Sequence, residues 1–140
     1  MKPAVLAALI ALLMPVAAVA ETQGTPSPKG AKVFIIEPKS GAEVASPVTV
    51  KFGIEGMDVA PAGTDKPNSG HHHLIIYGKV DDMAAAIPAD ATHVHFGKGQ
   101  TEATVELKPG KHTLQLVLGD KNHVPHVPPV TSEVVTVTVK

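Results

Sequence analysis

The chain has 140 residues, contains no cysteine and no arginine, and carries a formal net charge of −1 when its eight histidines are neutral. The missing cysteine excludes disulfides, blue-copper sites and cysteine-held iron–sulfur clusters, and the near-neutral charge without a basic patch argues against nucleic-acid binding. Eight histidines beside three Phe, one Tyr and no Trp form an unusual composition.

The first 20 residues predict a secretory signal peptide. Lys2 precedes an apolar run that ends in the small residues Ala18-Val19-Ala20, the pattern of a cleavage site. The run is short for a bilayer-spanning helix, Pro15 interrupts it, and no cysteine follows that could carry a lipid anchor. We therefore expect cleavage after Ala20, a periplasmic or secreted location, and no membrane span in the mature protein.

Residues 21–30 are rich in Pro, Gly, Ser and Thr and predict a flexible leader before a single domain over residues 31–140. Only residues 80–88 favour one or two helical turns. Seven short strands in the domain predict an all-β, immunoglobulin-like antiparallel sandwich with one short helix at most. Period-two alternation predicts these strands at 32–38, 47–56, 71–77, 93–97, 101–107, 112–120 and 133–140.

The usual strand order of such sandwiches would bring most histidines to one end of the domain. The triplet 71–73 begins the third strand, His93 and His95 lie on the fourth, and the loop 120–130 precedes the last strand. His112 falls at the opposite end. Because loops gathered at one end of a rigid sandwich commonly carry binding sites, this grouping indicates a functional site.

The spacing of these histidines predicts a metal site. Two histidines separated by one residue in an extended strand place both rings on the same face, and imidazole binds copper, zinc and nickel well. Copper is the first expectation and zinc the second, because the set is all nitrogen with the thioether of Met57 at the same end. Six ligands are too many for one ion, so we expect two sites or a four-ligand subset. The candidates are His71, His73, His93, His95, His123 and His126.

Other interpretations of the same residues stay open. His72 has the parity of Leu74 and Ile76 and could fill the rim of the core, and His112 is expected to be structural. Loop aspartates such as Asp120 could orient imidazoles as hydrogen-bond acceptors or simply solvate the loops.

A metal-independent alternative is an envelope interaction or structural domain, whose histidines form a hydrogen-bonded end cap that charges as the pH falls through about 6.5. A carbohydrate-binding sandwich is a weaker interpretation because aromatic stacking platforms are scarce.

Signatures of catalysis are missing from the sequence. No His-Glu-x-x-His motif occurs, and Ser69 in "NSGH" does not form a nucleophile elbow. Glu21, not a histidine, would begin the mature chain, which excludes a copper-binding histidine brace. We therefore expect no enzyme activity, and partners limited to a metal ion and another periplasmic protein, without nucleic acid.

Several segments resemble one exported bacterial family. The triple histidine of "SGHHHLII", the stretch "HVHFGKGQTE", the stretch "PGKHTLQLVLGD" and the "HVPH" that follows are similar to the pattern of the family called domain of unknown function 4399. The resemblance extends over residues 31–140. It implies an exported all-β domain and no established activity, so the metal hypothesis depends on the histidines alone.

Overall fold

The computed structural model describes residues 24–140, so the predicted signal peptide lies outside the described residues. Each of the seven expected strands is present, and two further strands of two residues each lie at Glu43–Val44 and Asp58–Val59. Within this range no helix is long and apolar enough to span a bilayer. The strands are β1 (Lys32–Glu37), β2 (Glu43–Val44), β3 (Val48–Glu55), β4 (Asp58–Val59), β5 (Ser69–Ile76), β6 (His93–His95), β7 (Glu102–Val105), β8 (Gly110–Gly119) and β9 (Val135–Val139).

The strands form two sheets. The smaller sheet has the order β1-β3-β7, and all its pairs are antiparallel. The larger sheet has the order β2-β9-β8-β5-β4, and β6 pairs with the same edge of β5 as β4 does. Only the short pairs β2–β9 and β4–β5 are parallel. This division of the strands confirms the predicted all-β sandwich of immunoglobulin-like type.

The core lies between the sheets and contains the inward side chains that the alternation predicts. Val50 on β3, Leu74 on β5 and Leu116 on β8 are all completely buried. Phe52 and Phe96 pack against each other with their ring centroids 5.0 Å apart. Burial of branched and aromatic side chains, each contributing about 1.5–3 kcal/mol, stabilises a domain that has no cysteine to form disulfides.

Strand β5 is buried on both faces along its whole length. Its inward side chains face the main core, and its outward Ile75 joins a second apolar cluster with Val117, Val80 and Ile87, the last two from the segment 78–92. A backbone hydrogen bond from Ile87 N to the oxygen of His123 joins this segment to the loop 120–127. Two covering segments therefore remove the outer face of β5 from water.

The segment 80–88 forms turns instead of the expected helical turns. The carboxylate of Asp82 accepts a hydrogen bond from the backbone N–H of Ala84, a local bond that competes with helix formation. Val80 and Ile87 instead use their side chains to cover the outer face of β5. The tertiary contacts thus override a weak local preference.

Candidate metal centre

Four imidazole rings meet on the outer face of the larger sheet. The ring centroids of His71, His73, His95 and His123 lie 4.6 to 5.7 Å apart in every pairing. One ring nitrogen each from His71, His95 and His123 can be chosen so that all lie within 4.8 Å of one another. The four rings are called here the four-histidine cluster, and three of them, His71, His95 and His123, could hold a metal ion.

Strand pairing places three of the four rings. His71 and His73 lie on the same face of β5 because side chains of a strand alternate. His95 on β6 lies directly opposite His73, so its side chain points to that same face. His71 lies opposite Gly119 on β8, the residue after which the chain enters the loop that carries His123.

The fourth ring depends on the conformation of this loop. The backbone of His123 has a φ of 66°, a left-handed conformation that non-glycine residues adopt uncommonly. Its N–H donates to the carbonyl oxygen of Asp120 at 2.9 Å, which closes a tight turn directly after β8. The turn directs the imidazole back over the end of the strand.

Nε2 of His71 lies close to a ring nitrogen of each of two other histidines. Nε2 of His71 lies 3.0 Å from Nε2 of His73 and also 3.0 Å from Nδ1 of His123. One ring nitrogen can donate or accept only a single good hydrogen bond in its plane, so Nε2 of His71 cannot satisfy both neighbours well. A cation bound by His71, His95 and His123 would accept a lone pair from each of these three rings.

Two glycines leave the space that the rings occupy. A methyl group on Gly119 would lie 2.6 Å from Nε2 of His73, well inside van der Waals contact. A methyl group on Gly97 would overlap the ring of His95. Any larger residue at these two positions would displace an imidazole of the cluster.

Burial keeps His71, His73 and His95 of the cluster neutral at ordinary pH. His71 and His73 are at most 1% exposed, whereas His95 and His123 are partly exposed. Burial, and then the nearby rings of His123 and His95, lowers the pKa of His71 from 6.5 to about 4. Burial followed by the rings of His71, His95 and His123 lowers the pKa of His73 to about 3. Burial and His123 also lower the pKa of His95. Neutral imidazole is the form that binds metals.

Within residues 24–140, every buried side-chain nitrogen or oxygen without a hydrogen-bond partner belongs to a histidine. In the cluster these atoms are Nδ1 of His71, Nδ1 of His73 and Nε2 of His95. Buried polar atoms are normally paired, and unpaired ones often mark a functional site or an ion. The concentration of unpaired atoms on one residue type singles out the histidines.

The remaining predicted ligands lie apart from the cluster. Nδ1 of His93 lies 2.9 Å from the carboxylate of Asp90. His126 is buried, and its Nε2 donates to the carbonyl oxygen of Ser69 at 3.2 Å. The structure therefore brings together four of the six candidates and gives His93 and His126 protein partners instead.

The two histidines outside the predicted ligand set have different surroundings. His72 points inward with Leu74, and its ring centroid lies 5.1 Å from that of Phe52. Burial lowers the pKa of His72 to about 4. His112 lies at the opposite end of β8, where its Nε2 donates to the carbonyl oxygen of Lys108 at 2.6 Å and its ring contacts Tyr77.

The family of the chain follows from a comparison of its sequence. A sequence model of the family described as domain of unknown function (DUF4399) matches residues 50–140, more than half of the chain. The chain belongs to the DUF4399 family. The matched range contains all eight histidines, including the four of the cluster. No curated protein and no solved structure matches the chain.

Proposed function

We propose that this DUF4399 protein is an exported copper-binding module that sequesters, delivers or senses the ion and does not catalyse a reaction. The observation that carries the proposal is the convergence of four imidazoles, two of them fully buried, on one face of a rigid sheet. The signal-like sequence of residues 1–20 supports a periplasmic or secreted location.

The nitrogen separations suit ligands of one ion. Ligands bound at 2.0–2.1 Å lie about 3.3 Å apart in a tetrahedral site and about 2.9 Å apart in a square-planar one, by the geometry of the bond lengths. The two 3.0 Å separations around Nε2 of His71 fall between these values. One ring nitrogen each of His71, His95 and His123 lies within 4.8 Å of the other two, which is close enough for an ion to draw these three rings together.

The ligand chemistry favours copper over zinc. Among divalent ions of the first transition row, copper has the highest affinity for a given nitrogen site. Within the described residues no carboxylate takes part in the group that could hold the ion. A neutral, buried, all-nitrogen set also suits Cu(I), whose single charge is less costly to remove from water than a double charge.

The lowered pKa values of His71 and His73 have a consequence for binding in acid. Protons compete with metals for exposed imidazole below about pH 6.5, but these two rings accept a proton only near pH 4 and pH 3. The two buried ligands thus remain available to a metal in moderately acidic surroundings.

The proposal is tested by titrating tagless protein of residues 21–140 with Cu(II) and recording electron paramagnetic resonance spectra. We expect saturation at one equivalent, with hyperfine structure from nitrogen ligands. Competition with Zn(II) then establishes the preferred metal. Weak binding that does not saturate would exclude a dedicated copper site.

A second candidate is a metal-independent, pH-responsive structural cap. The direct contacts between His71, His73 and His123 favour it, because protonation of neighbouring rings would repel them. This candidate requires a stability that changes with pH and not with metal. Equal melting temperatures with and without copper, together with loss of stability in acid, would support the cap and contradict the copper proposal.

A further inference from the structure

The carboxylate of Asp120 lies directly after β8 and is 5% exposed. Its Oδ1 accepts hydrogen bonds from the backbone N–H groups of Asn122 at 2.8 Å and Val124 at 3.0 Å. These two residues flank His123, so one oxygen holds both sides of the turn that carries the fourth ring of the cluster. The left-handed backbone of His123 is stabilised by these bonds.

The second oxygen of the same carboxylate connects the turn to the start of the described chain. Oγ1 of Thr25 donates to Oδ2 of Asp120 at 2.7 Å, although the two residues are 95 positions apart in sequence. Val127 N donates to the oxygen of Thr25, and Ser27 N donates to the oxygen of Val127, each at 3.0 Å. Residues 25–27 therefore lie as a parallel strap along the segment that follows His123.

The carboxylate of Asp120 acts on the four-histidine cluster through its charge. Asp120 directly follows Gly119, which lies opposite His71 on β5, so its negative charge lies near that ring and favours a cation there. Burial acts to raise the pKa of Asp120, but the hydrogen bonds from Thr25, Asn122 and Val124 outweigh burial and hold this pKa below its ordinary value. The carboxylate is therefore ionised at neutral pH, where the rings of His71 and His73 are neutral.

We propose that Asp120 is the positioning residue and the counter-charge of the four-histidine cluster, and that Thr25 of the amino-terminal strap completes this role. The inference depends on the proposed copper site. The carboxylate holds the turn of His123 through two backbone N–H groups, and its charge offsets part of the charge of a bound ion. Partners in the outer shell of metal sites commonly change affinity 10- to 100-fold.

Asp120→Asn removes the negative charge of the side chain and keeps its shape. An asparagine amide oxygen can still accept from Asn122 and Val124, and its amide nitrogen can donate to Oγ1 of Thr25. Loss of one negative charge weakens binding of a divalent ion about twice as much, on a logarithmic scale, as binding of a monovalent ion. We expect Cu(II) affinity to fall about tenfold and Cu(I) affinity about threefold. That ratio raises the reduction potential by about 30 mV, at 59 mV per tenfold.

The matched control is Asp65→Asn, which removes an equal charge from a carboxylate that is 85% exposed and paired with Lys121 next to Asp120. Both copper affinities of this variant are expected to stay within about twofold of the wild type, because exposed charges are screened. Equal effects of the two substitutions, or an unchanged potential in Asp120→Asn, would contradict the role of counter-charge.

Thr25→Val tests the strap without changing any charge. Hydrogen exchange in the metal-free protein should become faster at the amides of Asn122 and Val124, because their shared acceptor loses its third partner. Unchanged exchange would overturn the positioning role of Thr25. This measurement needs no metal, so it distinguishes failure of the inference from failure of the copper proposal, which a wild type without saturable copper binding would show.

Discussion

The two faces of β5 carry the same residue type in different surroundings. His72 faces the main core beside Phe52, and neither of its ring nitrogens has a hydrogen-bond partner. His71 and His73 face outward and meet two further imidazoles. All three are at most 1% exposed. Burial alone therefore does not distinguish a structural histidine from a ligand; the difference lies in what the opposite strand and the covering loop bring to each face.

Substitutions on the two faces of β5 should differ most in their effect on copper affinity. Replacing His71 and His73 together by Ala should weaken copper binding more than about hundredfold, since loss of even an outer partner costs 10- to 100-fold. His72→Leu, on the other face of the same strand, is the control and should bind copper like the wild type. Isothermal titration of the three proteins measures the difference. Strong loss in His72→Leu would place the site on the inner face.

The pH dependence of metal-free stability should involve both faces. The pKa values of His71, His72 and His73 are lowered to about 4, about 4 and about 3, so the folded protein keeps these rings neutral whereas the unfolded chain protonates them near 6.5. The contribution of these neutral rings to the free energy of unfolding is therefore fully present above pH 6.5. It is lost as the pH falls toward 4, by about 1.4 kcal/mol per pH unit for each ring.

Urea unfolding of the metal-free protein at pH 7.5, 6.0 and 5.0 measures this loss. His72→Leu should show a shallower decline than the wild type because one of the three rings is absent. A free energy of unfolding that is constant between pH 7.5 and 5.0 would mean that the buried rings are already protonated in the folded protein or are exposed to solvent there.

A smaller effect is expected from filling the space beneath the outer rings. Gly119→Ala places a methyl group against Nε2 of His73 and should weaken copper binding about tenfold by displacing that ring. Gly53→Ala is the matched control, because its methyl group would meet the ring of Phe34, an exposed side chain on the smaller sheet. Equal copper affinities of the two variants would show that His73 is not a ligand.

The smallest effect concerns the inner face alone. His72→Leu removes two buried nitrogens without partners and keeps an apolar contact with Phe52. We expect the free energy of unfolding at pH 7.5 to rise by about 1 kcal/mol, since an unsatisfied buried polar group costs about 1–3 kcal/mol. Thermal and urea unfolding measure the change. A destabilisation of more than about 2 kcal/mol would show that the ring of His72 makes a stabilising contact that leucine does not replace.

Much of the sandwich is readable from the sequence because period-two alternation reflects burial of one face, and burial stabilises the fold. The alternation of Val48, Val50 and Phe52 predicts β3 and its inward side chains, which the structure confirms. The same rule pairs His71 with His73 on one face. It does not reveal that the outer face is also covered, because the segment that covers it, 78–92, shows only a weak helical preference in the sequence and forms turns in the structure.

The position of each histidine pair relative to the others could not be read from spacing. His93 and His95 share a strand face, yet Asp90 holds one ring while the other joins the cluster. His123 and His126 lie in one loop, but the turn at Asp120 directs His123 to the outer face, and His126 bonds to the oxygen of Ser69. A pair of histidines with this spacing therefore indicates which rings are candidate ligands. It does not indicate which rings meet in one cluster.

The sequence alone predicts the membership of residues 50–140 in the DUF4399 family, seven of the nine described strands, and the face on which each strand histidine lies, because these depend on local alternation and residue type. Only in the folded structure do four imidazoles meet, and only there does Asp120, bonded to Thr25 95 residues away, hold the turn of His123. These features depend on contacts between distant segments, and such contacts leave no periodic signal in the chain.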